Sequence, residues 1–406
     1  MWRRLGAAGE GGEGETINTS ADRGGLSGMK VCLVNSFYPP YLGGAETYTS
    51  SLARNLAELG HEVTVYCGDR PSPAGESTDG AVRVVRMKTP LAFYGTPISL
   101  FPPSFMAGSF DVIHCNFPNP YFVAVSATVA KAGGVPAVLT WHNDLPTVTS
   151  AASFLVSLNT IASVAYLAPY SRIIATTGIY ARTSKILRRN AGKVTVIPNG
   201  VDTARFNPQV DAEELKEKYH LKGYKTLIFV GALTTWHTYK GLEELLQAFS
   251  MVKKSCESLK LLIVGGGNLL GYYQRLSRGL EESEKVVFTG QVDEETLPRC
   301  YAAADFAVLP SRDSSEGFGL SLLEAKASGK AVIGSEVGGI TEVIENWRDG
   351  VLVRPRDPNA LANAIHALYV DDDLRQKMGD AGRVFAQSHD WRTVAERVVS
   401  LYKEIQ

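Results

Sequence analysis

Beyond residue 28 the chain alternates short apolar runs with longer stretches whose apolar positions recur every three or four residues. The short runs read as strands and the longer ones as amphipathic helices. In the first half the strands fall at 30–35, 62–67, 82–87, 111–115, 136–140, 172–175 and 194–197. A second series follows Pro208, at 226–231, 260–264, 286–289, 306–309, 331–334 and 351–353. Helices are expected between them at 47–59, 242–254, 294–303 and 358–369, with a further helical run over 320–328. Alternation of this kind predicts parallel sheets in doubly wound α/β domains, which bind ligands at the carboxyl ends of their strands. The turn Pro198-Asn-Gly200, with Asp202 and Pro208 behind it, marks the expected joint between two such domains.

The length of 406 residues suits two cores better than one. A hydrophobic fraction of 45% and a net charge of -1 describe a soluble globular protein, with no excess of cations for nucleic acid. The five cysteines form no C-x-x-C pair, and Cys32, Cys67 and Cys115 sit in strand-like runs, as buried thiols of a reducing cytoplasm do. Residues 1–28 have no apolar periodicity and no signal-peptide core; they are expected to be disordered, with Met29 a candidate true start. No stretch has the ~18 or more predominantly apolar residues of a membrane span; the nearest, 145–171, is uncharged but rich in Ser, Thr, Asn and Pro.

The most informative segment is Ser311-Arg-Asp-Ser-Ser-Glu-Gly-Phe-Gly-Leu-Ser-Leu-Leu-Glu324. It joins a strand to a helix through a glycine-bearing loop, with one acid in the loop (Glu316) and another in the helix (Glu324). The amides of Phe318, Gly319 and Leu320 point out of the helix start, where the macrodipole favours an anion. An acid for a polyol, amides for a phosphate and an acid for a ribose diol make a nucleotide-sugar grip. The plainer reading is two solvated acids at a helix start.

Lesser signals point the same way. Gly43 and Gly44 let backbone approach a ligand at a helix start, or simply make a β-α turn. Lys240 stands at the start of a helix, where it opposes the macrodipole; that suggests a nearby anion, against an ordinary surface lysine. His142, in Trp141-His-Asn-Asp144, could donate to a sugar hydroxyl or a phosphate, or be structural. Val264-Gly-Gly-Gly267 lacks dinucleotide-fingerprint spacing and reads as a permissive loop near the nucleotide. Asp371-Asp-Asp373 reads as a helix start rather than a metal site. Arg182, Lys185, Arg188 and Arg189 fall on one helical face, and Arg83, Arg86 and Lys88 precede the uncharged, aromatic-rich stretch 89–110. Both sets are open to a solvated face or to contact with anionic lipid.

Taken in order, these pieces resemble the retaining family 4 glycosyltransferases of the GT-B fold, over residues 29–406. The matching residues are Gly43-Gly44-Ala45-Glu46, Trp141-His142, Ile197-Pro-Asn-Gly-Val-Asp202, Lys240-Gly241, Val264-Gly-Gly-Gly267, Thr289-Gly-Gln-Val-Asp293, Glu316 to Glu324, Val337-Gly-Gly-Ile340 and Gly350-Val-Leu-Val353. The resemblance implies two Rossmann-like domains: 29–203 for the acceptor and 204–385 for the nucleotide sugar, with 386–406 a helix crossing back to the first. It implies transfer of a hexose from a UDP- or GDP-linked donor to a hydroxyl acceptor, with no metal or other cofactor. Glu316 would contact the donor sugar, Glu324 the ribose, and His142 the sugar beside the reaction centre. Lys240 and the amides of Phe318, Gly319 and Leu320 would hold the diphosphate, with Gly43 and Gly44 opposite and the Val292 backbone at the base. The family's usual arginine after Gly231 is here Ala232, so His237 and Arg312 are candidates for a second cation. The acceptor is expected to be a sugar or a lipid-linked group, and the location the cytoplasm, with peripheral contact at the inner face of the membrane left open. Rivals are a GT-B phosphorylase or epimerase, and a non-catalytic nucleotide-sugar-binding protein.

Overall fold

The protein is described by a computed structural model covering residues 28–41, 43–93, 96–144, 162–252, 254–280 and 283–406. The expectations for 1–27 and for the first part of the uncharged stretch at 145–171 fall outside these residues.

The first sheet is built from β1 (Lys30–Val34), β2 (Glu62–Gly68), β3 (Gly75–Asp79), β4 (Val82–Met87), β7 (Val112–Phe117), β8 (Ala137–Trp141), β9 (Arg172–Ala175) and β10 (Val194–Val196). A separate antiparallel hairpin pairs β5 (Leu91–Phe93) with β6 (Thr96–Ile98). The sheet order is β10-β9-β8-β7-β1-β2-β4-β3, parallel except for the edge pair β3/β4. The second sheet holds β11 (Lys225–Val230), β12 (Leu259–Val264), β13 (Val286–Gly290), β14 (Phe306–Leu309), β15 (Ala331–Ser335) and β16 (Val351–Val353). Its order is β13-β12-β11-β14-β15-β16, and every pairing is parallel. Helices cover both faces of such sheets, so the central strands read as unbroken apolar runs; Leu259–Val264 is buried at every position.

The predicted strands appear within a residue or two of their expected ends. The edge strand Gly75–Asp79 was not foreseen, because Gly-Glu-Ser-Thr-Asp is exposed almost throughout and carries no apolar alternation.

The chain crosses between the two sheets twice, side by side. The outgoing Val201 donates to the His389 carbonyl at 2.9 Å, and the returning Trp391 donates to the Val201 carbonyl at 3.2 Å. The helix Trp391–Ile405 starts at Asp390, whose carboxylate accepts from the Arg392 amide. Its apolar face joins the core of the first sheet. Trp391 lies edge-on to Tyr48 at 5.3 Å, and the Tyr402 hydroxyl is 2.6 Å from His114 Nδ1.

Two readings of the basic segments change. Arg182, Lys185, Arg188 and Arg189 do not share one helix: Gly178–Thr183 and Lys185–Arg189 are separated at Ser184, which is extended and caps the second. Arg83 is bound by Glu76, and Arg86 by the Ser77 hydroxyl and the Pro39 carbonyl, so edge strand β3 consumes two of the three cations before the aromatic stretch. Of that stretch, Phe105 is core, while Leu91, Leu100 and Met106 are exposed. The cysteines Cys32, Cys67 and Cys115 are free and buried, as expected.

Candidate active site

The strand ends of the two sheets face each other, and the loops leaving them carry the expected residues. After β14 the chain enters the Ser311–Gly319 loop, and the helix Leu320–Ala327 begins at Gly319, whose φ of 90° no other residue adopts cheaply. No side chain caps this helix start. Among the described residues, no acceptor takes the amides of Phe318, Gly319 and Leu320. Unfilled helix-start amides form an anion site when a ligand is present.

Lys240 closes a short 3-10 segment, Thr235–Lys240, after β11. Gly241 has φ 75°, and a Cβ there would fall 2.0 Å from the Pro310 carbonyl oxygen, so only glycine lets this turn sit against the end of β14. The result is a short ion pair: Lys240 Nζ is 2.8 Å from Glu316 Oε2, with the two side chains only 15% and 9% exposed. Burial by itself would depress the Lys240 ammonium; Glu316 outweighs it, and the lysine pKa stands above its ordinary value. The anion implied by this lysine's position at a helix start is therefore within the chain.

Glu324 lies half-buried in the helix behind the loop, where the Tyr301 hydroxyl donates to it at 2.8 Å. Burial pushes its pKa up to about 7, against the Tyr301 bond and the charges of Arg205 and Lys240. A carboxylate so poised gains from any further donor, such as a diol.

The first-domain residues meet this loop directly. A Cβ on Gly317 would lie 2.6 Å from the His142 carbonyl oxygen, and one on Gly44 would lie 3.7 Å from Leu320 Cδ1. His142 Nε2 is 3.0 Å from Asn116 Oδ1, and burial lowers the His142 pKa to about 3, so the ring is neutral. Gly43 stands before the helix Gly44–Glu58, and a Cβ on it would meet the Glu46 carboxylate at 2.3 Å. Across the lobes, the Glu342 carboxylate accepts from the Gly178 amide at 2.7 Å and from the Ile179 amide.

Lys240, Glu316, Gly317, Leu320, Gly44 and His142 are thus brought together. Val292 is not joined to them by any described contact; it packs half-buried against the second core. Of the two candidates for a second cation, Arg312 is spent: Nε donates to Glu244 at 2.7 Å and Nη2 to Glu243 at 2.7 Å. Those acids are the first-turn residues of helix Leu242–Val252, which hold the guanidinium away from a ligand. His237 remains, electrostatically coupled to both Lys240 and Glu316. Sequence reasoning missed Asn116, Tyr48, Tyr301 and Glu342; only Asn116, which with His114 is polar in a strand of otherwise apolar residues, left a trace in the pattern.

Residues 211–385 match the family described as Glycosyl transferases group 1, and residues 42–205 match the one described as Glycosyltransferase Family 4. An uncharacterised glycosyltransferase of Methanocaldococcus jannaschii is 30% identical over 398 residues, covering 92% of this chain and 98% of its own. The chain belongs to the family 4 glycosyltransferases. A second relative of this glycosyltransferase is a GDP-mannose-dependent α-(1-6)-phosphatidylinositol monomannoside mannosyltransferase of Mycobacterium tuberculosis. It is 27% identical over 395 residues, covering 92% of this chain and 98% of its own. Among solved structures, a sucrose-phosphate synthase from Thermosynechococcus elongatus superposes with a TM-score of 0.73 at 25% identity, over 93% of the glycosyltransferase and 98% of that chain. The fold is GT-B.

Proposed function

We propose that this glycosyltransferase moves a hexose from a UDP- or GDP-linked donor to a hydroxyl acceptor with retention at the anomeric carbon. The observation that carries the reading is the 2.8 Å Lys240–Glu316 pair at the mouth of a helix with open amides. A departing diphosphate gains negative charge while the sugar becomes oxocarbenium-like. Lys240 and the amides of Phe318, Gly319 and Leu320 meet the first charge, each such preorganised donor contributing a few kcal/mol. Glu316, released from the lysine, faces the sugar; Glu324 holds the ribose; the backbone of Val292 meets the base; Gly43 and Gly44 close over the diphosphate. His237 takes the place of the arginine absent at Ala232. Its Nδ1 is held by the Thr234 hydroxyl at 2.7 Å, which leaves Nε2 for a phosphate oxygen. Front-face attack follows, with the leaving phosphate accepting the acceptor's proton. In this reading neither a metal nor another cofactor takes part.

The acceptor is proposed to be lipid-linked, or a glycan, in cell-envelope or glycoconjugate synthesis. The name of the Mycobacterium relative, which includes a phosphatidylinositol mannoside, supports this. No helix among the described residues is long and apolar enough to cross a membrane. Lys88, Leu91 and Leu100 are exposed in or beside the hairpin, Met106 is exposed in the helix that follows, and they suit peripheral contact with the inner face of a membrane from the cytoplasm. The test is product analysis. With a 13C-labelled GDP- or UDP-hexose, the purified enzyme should yield a glycoside of the donor's anomeric configuration, unaffected by a chelator. An inverted product, or loss of activity on chelation, refutes the corresponding part.

A further inference from the structure

The hydrogen bonds beneath His142 locate its proton. Asn116, 2% exposed, lies between the Val34 carbonyl and the His142 ring. Its Nδ2 donates to the Val34 carbonyl at 3.3 Å, and its Oδ1 is 3.0 Å from His142 Nε2. A backbone carbonyl has no proton to give, so only the amide's NH2 end can face Val34. That orients the amide, and its oxygen faces the imidazole. An oxygen there requires the proton on Nε2, and a neutral imidazole then has a bare lone pair on Nδ1. Tyr48, edge-on to the ring at 4.7 Å, packs against it. His142 therefore cannot donate to a ligand, as its sequence context suggested; it can only accept.

We propose that Asn116 is a positioning residue that fixes His142 as a hydrogen-bond acceptor at Nδ1, and so selects donor sugars that present a hydroxyl at that point. This rests on the donor-site reading above. A hydroxyl gives its proton to the lone pair; a deoxy position leaves the lone pair unpaired; a carboxylate oxygen repels it. Sites built to hydrogen-bond a hydroxyl reject analogues lacking it far more strongly than apolar pockets reject a missing methylene.

Two measurements test this on the full-length protein. Two-bond 1H–15N correlation spectra of 15N-histidine-labelled enzyme, with His142 assigned through His142→Gln, should show the Nε2–H tautomer in the wild type and in Asn116→Asp, whose carboxylate also accepts. Asn116→Leu should show a tautomer mixture or Nδ1–H. In the second, kcat/KM is compared for GDP-mannose, UDP-glucose and their monodeoxy analogues. The wild type should discriminate against one deoxy position by about tenfold or more, Asn116→Asp should keep that ratio, and Asn116→Leu should lose it. An Nδ1–H tautomer in the wild type, or undiminished discrimination in Asn116→Leu, overturns the proposal. If no donor is turned over, the donor-site reading fails while the spectra still decide the tautomer. If Asn116→Leu does not fold, the wild-type and Asn116→Asp spectra decide it.

Discussion

Replacing Glu316 by glutamine separates the two jobs its carboxylate is given. In the free enzyme it neutralises Lys240 at 2.8 Å in a largely dry pocket. Opposite charges about 4 Å apart at an effective dielectric constant of ~20 attract by about 4 kcal/mol. A diphosphate that engages Lys240 must draw the lysine from this partner and also lie near a carboxylate of its own sign. Glu316→Gln removes both penalties, and if about a third of the pair energy is recovered, GDP or UDP should bind about tenfold tighter. The same change removes the charge facing the sugar, so transfer should fall by a factor of ~100 or more. An unpartnered Lys240 should also lower the melting temperature of the free enzyme, and the nucleotide should restore it. Titration calorimetry with GDP and UDP, alongside labelled-donor transfer, gives both numbers. Unchanged or weaker nucleotide binding would refute the idea that Glu316 competes for the phosphate-binding lysine.

Other consequences follow from the same contacts. His237 has its pKa held below the ordinary value, by burial first and Lys240 second, and a phosphate on Nε2 would raise it. Nucleoside diphosphate binding should therefore take up a proton and strengthen from pH 8 to 6 more steeply in the wild type than in His237→Gln, as calorimetry in buffers of different ionisation enthalpy would show; equal slopes remove His237 from the site. Glu46 is buried, and burial raises its pKa from 4.5 to about 7. The folded state then holds the proton more tightly than the unfolded chain, so ionisation costs stability: the penalty is absent below pH 4.5, grows through the interval, and is complete above 7. At ~1.4 kcal/mol per pKa unit, Glu46→Gln should gain up to about 3.5 kcal/mol at pH 8 and nothing near pH 4 in urea unfolding. Trp391, 4% exposed against Tyr48, anchors the returning helix. Trp391→Ala should cost about 3–5 kcal/mol, and a cost below 1 would show that the helix is not part of that core.

Much of the fold was legible because parallel strands buried on both faces leave continuous apolar runs, as in Leu259–Val264. The loop at 311–324 was legible because a strand, glycines and two acids in sequence encode their own geometry. What could not be read was any contact between distant residues. Nothing in the chain says that Lys240 meets a carboxylate 76 positions away, or that Arg312 is taken by Glu243 and Glu244 rather than left for a ligand. The Ser184 break was hidden for a related reason: its hydroxyl accepts from the Leu187 amide, and starting a new helix competes closely with continuing the old one. Asn116 and His114 lie in a strand buried at every position, where a polar residue is tolerated only with partners. Those partners, His142, Tyr402 and Thr140, come from elements far away in sequence.

The central claim is that the cleft grips a nucleoside diphosphate sugar between the Glu316–Glu324 loop and Lys240, and ligand-induced thermal stabilisation tests it most directly. A uridine or guanosine diphosphate sugar should raise the melting temperature of the wild type, and the shift should shrink or vanish at the same concentration in Glu324→Ala and in Lys240→Ala. No shift with any such donor, or full shifts in both variants, would contradict the account.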